Sequence, residues 1–275
     1  MPRVKPRPLT RLMWPSALLV VLAWAAHSTE VSIGGLFGAE GRAQMGRFIG
    51  GLFPPELSPD YLFGLVGPAI ETVQMSLLGA VFGAMIAAPL AAVAMRAPGL
   101  DHAGARGWRA HARALAYGTA RGILNVMRTI PDLVWALMFI AAVGLGPFSG
   151  VLALTVHSAG LLGKLYSEAL ESVDLAPVHS LQAAGVGAVG VLVWGVLPQA
   201  AGPLISVTLY QWECNIRAAM VLGFVGAGGL GQRIDLAMRL FRYEEMLTLL
   251  AVLLLLVTAV DRLSAAIRGR LVRSL

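Results

Sequence analysis

A chain of 275 residues that is 57% hydrophobic and 13% charged, with a mean hydropathy of +0.74, does not have the composition of a soluble domain. Its apolar residues run in long Leu, Ala, Val and Gly stretches, which favours an all-α polytopic membrane bundle over an outer-membrane barrel and rules out an aqueous enzyme with a large polar domain. The net charge of +6 sits in short basic clusters between those stretches, the habit of cytoplasmic loops rather than of a nucleic-acid surface; the single Cys214 and five scattered His leave little material for disulfide, redox or metal chemistry.

Arg3, Lys5, Arg7 and Arg11 precede an apolar stretch from Leu12 to His27, read as a first span, although Ala23 and Ala25 imitate a leader-cleavage site. Ser28 to Gly67 is Gly/Pro-rich and suits an extracytoplasmic loop ending in a short interfacial helix. A second span is expected from Ile70 to Met95. Arg96, Arg106, Arg109, Arg113, Arg121 and Arg128 follow with almost no acid, which assigns this loop to the cytoplasm. Its part from Trp108 to Arg128 has basic and apolar faces and is expected to lie along the interface before a third span at Pro131 to Val143. A turn at Gly144 to Gly150 leads to a fourth span, Val151 to Tyr166. Glu168 to Pro198, broken by Pro177, Gly185, Gly187 and Gly190, reads as a helix-turn-helix excursion. A fifth span covers Ala201 to Leu222 and a sixth Met246 to Val260.

Six spans with both termini in the cytoplasm place most of the 21 Lys and Arg inside. Residues 1–67 then hold the N-terminal tail, first transmembrane helix and extracytoplasmic loop, and residues 68–275 form the main membrane domain. No repeat or heptad run stands out.

Gly226-Ala227-Gly228-Gly229-Leu230-Gly231 matches the GxGxxG fingerprint by letter. That fingerprint works only at a strand-to-helix turn, which this chain lacks, so the string reads as side-chain-free backbone at the outer end of a span, able to unwind or admit a close neighbour. Ser158 to Lys164 imitates a phosphate loop but lacks its first Gly and carries Leu165 where Ser or Thr would hold magnesium; no ATP site is encoded, and no cofactor is expected.

Ionisable residues in or beside spans are candidates by default: Glu71, Arg128, Asp132, His157, Lys164, Glu213, Arg217 and Asp261. Most sit near expected ends, where snorkelling or pairing explains them. Glu213 and Arg217, four apart in the outer half of the fifth span, are expected either to pair with each other or to present a positive group to an anion's path.

The stretch His179-Ser-Leu-Gln-Ala-Ala-Gly185, then nine residues, then Gly195-Val-Leu-Pro198 resembles the cytoplasmic "EAA" loop of ABC-importer permeases. Gly185, Leu197 and Pro198 match in register, while His179, Ser180, Leu181 and Gly195 replace the family's Glu, Ala, Ala and Ile. Leu197-Pro198-Gln199, Pro203 to Ser206, Leu209-Tyr210, Asn215-Ile216-Arg217 and Gly223 to Gly231 are similar to the phosphonate-importer permeases, as are Glu71 to Ser76 and Arg128 to Phe139. The likeness runs from about Pro68 to Arg270.

The resemblance implies a homodimeric inner-membrane permease without covalent chemistry of its own. A separate cytoplasmic ABC ATPase dimer would drive it, and an extracytoplasmic binding protein would deliver a compact anion such as phosphonate or phosphite. It assigns coupling to the ATPase to His179, Gln182, Ala183, Ala184, Gly185, Leu197 and Pro198. It assigns the gate or path to Glu71, Thr72, Glu213, Asn215, Arg217, Gly226, Gly228, Gly229 and Gly231. Methionine-type permeases share much of this pattern. Two rivals are weaker: an intramembrane enzyme using His157, Ser158 or Glu213, because adjacent His and Ser point different ways on a helix, and a proton-coupled carrier, because paired half-repeats are missing.

Overall fold

The computed structural model describes residues 8–29, 34, 37–96 and 107–274, and all regular structure among them is helical. The chain divides into two compact units, Met1–Phe53 and Pro54–Leu275. The first holds α1 (Pro8–Ser28), whose apolar part is Trp14–Ser28, and α2 (Ala39–Gly51), a helix with no buried residue.

The second unit contains α3 (Pro59–Ala94), α4 (Trp108–Thr129), α5 (Asp132–Val143), α6 (Pro147–Glu171), α7 (Leu175–Ala183), α8 (Ala188–Val191), α9 (Leu197–Leu222), α10 (Gly229–Arg239) and α11 (Tyr243–Ser274). A π-helical turn at Leu192–Val196 joins α8 to α9 and a second, Gly223–Ala227, follows α9, so that residues 188–227 run as one helical segment kinked at Gly226.

α3 starts at Pro59, eleven positions before the expected Ile70. Pro59 at the first helical position and Asp60 in the first turn suit a helix start there. Just before it, the Ser58 hydroxyl and N–H donate to the exposed Glu56 carboxyl and hold it below its ordinary pKa. The early turns of α3 bury Leu65 against Leu230 and Ile234 of α10 and Leu249 of α11.

Small residues bring the central helices together, since lipid tails give no hydrophobic drive for helix association and close packing must replace it. A Cβ on Gly79 would lie 2.5 Å from Leu154 Cβ, and one on Gly83 would lie 2.7 Å from Ser158 Cβ, so α3 and α6 approach almost backbone to backbone. Gly160 and Gly163 of α6 do the same against Met127 and Leu124 of α4.

The expected span count changes. Among the described residues, four helices are long and apolar enough to cross: α3, α6, the 188–227 segment and α11. The expected third span, now α5, has 12 residues and is about 18 Å long, short of a hydrocarbon core of about 30 Å. It joins α4 at a 90° break, and the two make a fifth crossing only as a bent pair. Pro131 causes the break: it cannot continue the α4 ladder, and Ile130 before it is pushed into extended backbone at ψ 122°. The freed carbonyls are satisfied by side chains, with the Trp135 indole donating to Met127 O at 3.1 Å and His157 Nδ1 lying 3.2 Å from Ile130 O. The second half of the expected excursion is likewise the beginning of the fifth span, because the π turn absorbs the irregularity without stopping the helix.

The bundle has two distinct ends. At one, Gly146 N–H donates to Gly226 O (2.9 Å), Glu71 meets Gly229, and Thr248 donates to Glu56 O. At the other lie Ala94, Arg96, Arg121, Glu171 and the α7 turn.

Candidate functional site

At the basic end, α7 is a nine-residue helix built to stand out from the bundle. Asp174 caps its start, accepting from Ala176 N–H at 3.0 Å. At its other end Gly185 adopts φ +83°, and the paired bonds Val186 N–H to Leu181 O (3.0 Å) and Gly185 N–H to Gln182 O (2.9 Å) close a Schellman turn. An L-residue is strained there, so the glycine is demanded by backbone handedness rather than by crowding: no atom comes within 4 Å of a Cβ placed on it.

Val178 is the one fully buried residue of α7, with half-buried Leu181 packed beside it. Val178 is buried in a cluster with Ala87, Leu162, Tyr166 and Val196, and Gly195 lets α7 sit close, since a Cβ there would fall 2.9 Å from the Leu181 methyl. His179, Ala183, Ala184 and Gly185 are exposed and Gln182 is half-buried, so the face opposite Val178 is uncovered. Leu197 and Pro198 are exposed beside it.

Two supports of this turn escaped the sequence reading. Gln199 accepts from Asp174 N–H at 3.0 Å and donates to Gly195 O at 2.6 Å, tying the start of α7 to the start of α9. Glu171, the last residue of α6, accepts from Arg96 N–H at 2.7 Å and Arg121 at 2.9 Å, while Arg121 also donates to Ala94 O and packs over Tyr117. Three helices are thereby locked where the turn emerges. Gln199 directly follows the Leu-Pro pair and was legible in principle; the Arg121–Glu171 pair, fifty positions apart, carried no local signal.

At the opposite end the glycine string is a tightly packed corner. Gly226, Gly228 and Gly229 have φ of 96°, 89° and 69° and turn the chain from α9 into α10. Glu71 and Thr72 cap α10: Gly229 N–H donates to Glu71 Oε2 at 2.7 Å and Leu230 N–H to Thr72 Oγ1 at 3.0 Å. Gly231 crosses Gly223 so closely that a Cβ on it would lie 2.0 Å from Met220 O.

Mid-way along the bundle, Asn215 lies in a buried polar layer joining α3, α6 and α9. Ser158 Oγ donates to the Asn215 amide oxygen at 3.0 Å, Gln211 meets Asn215 at 3.0 Å, and the Trp212 indole donates to Ser76 Oγ at 3.3 Å. His157 and Ser158 thus point at different neighbours, His157 at the α4–α5 break and Ser158 at α9.

The expected pairing of Glu213 with Arg217 does not form. Arg268 donates to Glu213 at 2.6 Å, and Arg217 faces Asp261 at 3.8 Å, so both partners come from α11. Although i,i+4 spacing permits the local pair, α11 packs along this side of α9 and supplies an opposite charge to each.

Small-residue helix contacts and a capped, outward-standing helix between two spans define a helical membrane bundle with one short exposed helix at its basic end. The chain belongs to the family of binding-protein-dependent transport system inner membrane components, whose pattern matches residues 105–273. It is 38% identical over 228 residues to the phosphite transport system permease protein PtxC of Stutzerimonas stutzeri, covering 83% of this chain and 78% of that one. It is 32% identical over 249 residues to the phosphate-import permease protein PhnE of Mycolicibacterium smegmatis, covering 90% of this chain and 43% of that one. Its fold is shared with the MetNI methionine ABC transporter in an inward-facing form, at TM-score 0.66 and 23% identity over 78% of this chain and 99% of that one.

Proposed function

We propose that this chain is the permease of an ATP-driven importer that carries a compact phosphorus oxyanion, phosphonate or phosphite, into the cytoplasm. A separate ATPase dimer hydrolyses the nucleotide, a binding protein delivers the anion on the outer side, and a second copy of this chain completes the path. The observation that carries the reading is α7, held at one end by Asp174 and at the other by Gly185, fastened by Val178 and exposed over the face that includes His179, Ala183 and Ala184. A short rigid helix of this kind transmits the closing motion of a docked ATPase into α6 and α9, which it joins. The names of the relatives favour phosphorus oxyanions over methionine.

Both termini lie in the cytoplasm in this reading, with α7 on the same side. His179 stands where related loops carry Glu and docks as a hydrogen-bonding group. The glycine corner and the residues around Arg217 form the gate and path. The test is reconstitution of the chain with its ATPase and binding protein in proteoliposomes. Uptake of phosphonate or phosphite that needs ATP and the binding protein is expected. Uptake by the chain alone, or driven by a proton gradient, overturns the reading.

A further inference from the structure

The face of α9 carrying Tyr210, Cys214 and Arg217 has the wrong chemistry for acyl chains. These residues fall at i, i+4 and i+7, one stripe of the helix. Tyr210 is 52% exposed, and the side chains of Arg217 and Asp261 are 49% and 44% exposed. The stripe lies mid-bundle, because the indole of Trp212, between Tyr210 and Cys214, donates to Ser76 Oγ half-way along α3 (3.3 Å). Half-exposed charge at that depth belongs against a water-filled path rather than lipid.

The two ion pairs linking α9 to α11 are unequal. Arg268–Glu213 is short, and Glu213 is 12% exposed: a closed structural clamp. Arg217–Asp261 is 3.8 Å apart, beyond hydrogen-bond range, and the buried Asp261 Oδ1 receives no hydrogen bond. Arg217 instead reaches Cys214 Sγ at 3.6 Å. A guanidinium held this loosely presents its planar fork to a tetrahedral oxyanion, for which bidentate binding is favoured.

We propose that Arg217 is an anion-binding station within the transport path and that Asp261 is its displaceable counter-ion. The oxyanion takes the guanidinium from Asp261 on arrival, and Asp261 takes it back on departure, so Arg217 is paired in both states while the released carboxylate, 44% exposed, turns to the water of the path. Asp261 acts as a positioning residue. This assignment rests on the importer reading and adds to it a specific position for the substrate.

Cys214 is the chain's only cysteine and a built-in reporter beside the station. Proteoliposomes with the complete importer are exposed on both faces to anionic and cationic methanethiosulfonates, and the Cys214 peptide is read by mass spectrometry. Both reagents are expected to label it, the anionic one in excess of its intrinsic reactivity. Arg217→Gln should remove that excess, about a fivefold change for one unit charge at this range in water-like surroundings. Asp261→Asn should raise it. Methylphosphonate or phosphite should slow anionic labelling equally in zwitterionic and anionic lipid.

Labelling by a membrane-soluble maleimide alone overturns the station, as does an anionic rate indifferent to Arg217→Gln. Protection that follows lipid charge rather than added solute also overturns it, by making the site one for headgroups. The reagent preference of the unaltered chain is decisive even if a variant fails to fold. ATP-driven uptake measured in the same proteoliposomes separates the two readings: uptake with an unreactive Cys214 removes the station and leaves the importer.

Discussion

Gly185 shows how one residue type can be required for a reason invisible in its contacts. Its surroundings are open, so bulk alone would be tolerated; its φ of +83° is what an L side chain resists, at about 1–2 kcal/mol. That is enough to unwind the end of a nine-residue helix. Gly185→Ala should therefore reduce ATP-driven uptake, Gly185→Asn should reduce it less because Asn tolerates this conformation, and Gly185→Arg should abolish it by adding charge and bulk to the docking face. Immunoblots of membrane fractions should show unchanged insertion for all three. An Ala variant with full uptake would show that the turn need not keep its handedness.

Among the helices, the distinction that matters is between contacts that hold the bundle and contacts that hold α7 on it. The Gly79, Gly83, Gly160 and Gly163 crossings and the Asn215 layer do the first. Gln199 does the second, because its amide joins the backbone at Asp174 to that at Gly195 while lying largely in the open. Replacing it with Leu removes those hydrogen bonds, each worth about 0.5–1.5 kcal/mol, without opening a cavity in the core. Gln199→Leu should thus lower the thermal midpoint in detergent by about 2–10 °C, at roughly 2–4 °C for each kcal/mol lost. It should at the same time lower the uptake obtained per ATP hydrolysed in the reconstituted complex. That fall with the uptake-to-hydrolysis ratio preserved would make Gln199 a stability residue instead.

The arrangement of the two ends carries a topology. Arg96 and Arg121 share an end with α7, whereas the Gly144–Gly146 turn meets Gly226 at the other, where Glu71 also lies. Basic loops remain in the cytoplasm, so alkaline phosphatase fused after Arg242 should be active and the same enzyme fused after Gly185 inactive, with green fluorescent protein showing the reverse. Phosphatase activity at Gly185 would invert the orientation and remove α7 from reach of a cytoplasmic ATPase.

Membrane residence, an all-helical fold and the position of the turn at Gly185 were legible in the residues, because each rests on local chemistry. Apolar run length sets what can cross, Lys and Arg bias marks the inner side, and Gly185, Leu197 and Pro198 keep a spacing that resembles related permeases. The α4–α5 break was half-legible: Pro131 announced it, but the shortness of α5 as a crossing emerged only with the helix geometry. Partners for Glu213 and Arg217 were not legible at all. Within one helix their spacing favours each other, and it is the packing of α11, some fifty positions away, that pairs one with Arg268 and leaves the other loosely beside Asp261. The string 226–231, read as backbone able to unwind or admit a close neighbour, takes the second course at Gly231 against Gly223 and Met220, since what a missing Cβ makes room for depends on which backbone arrives.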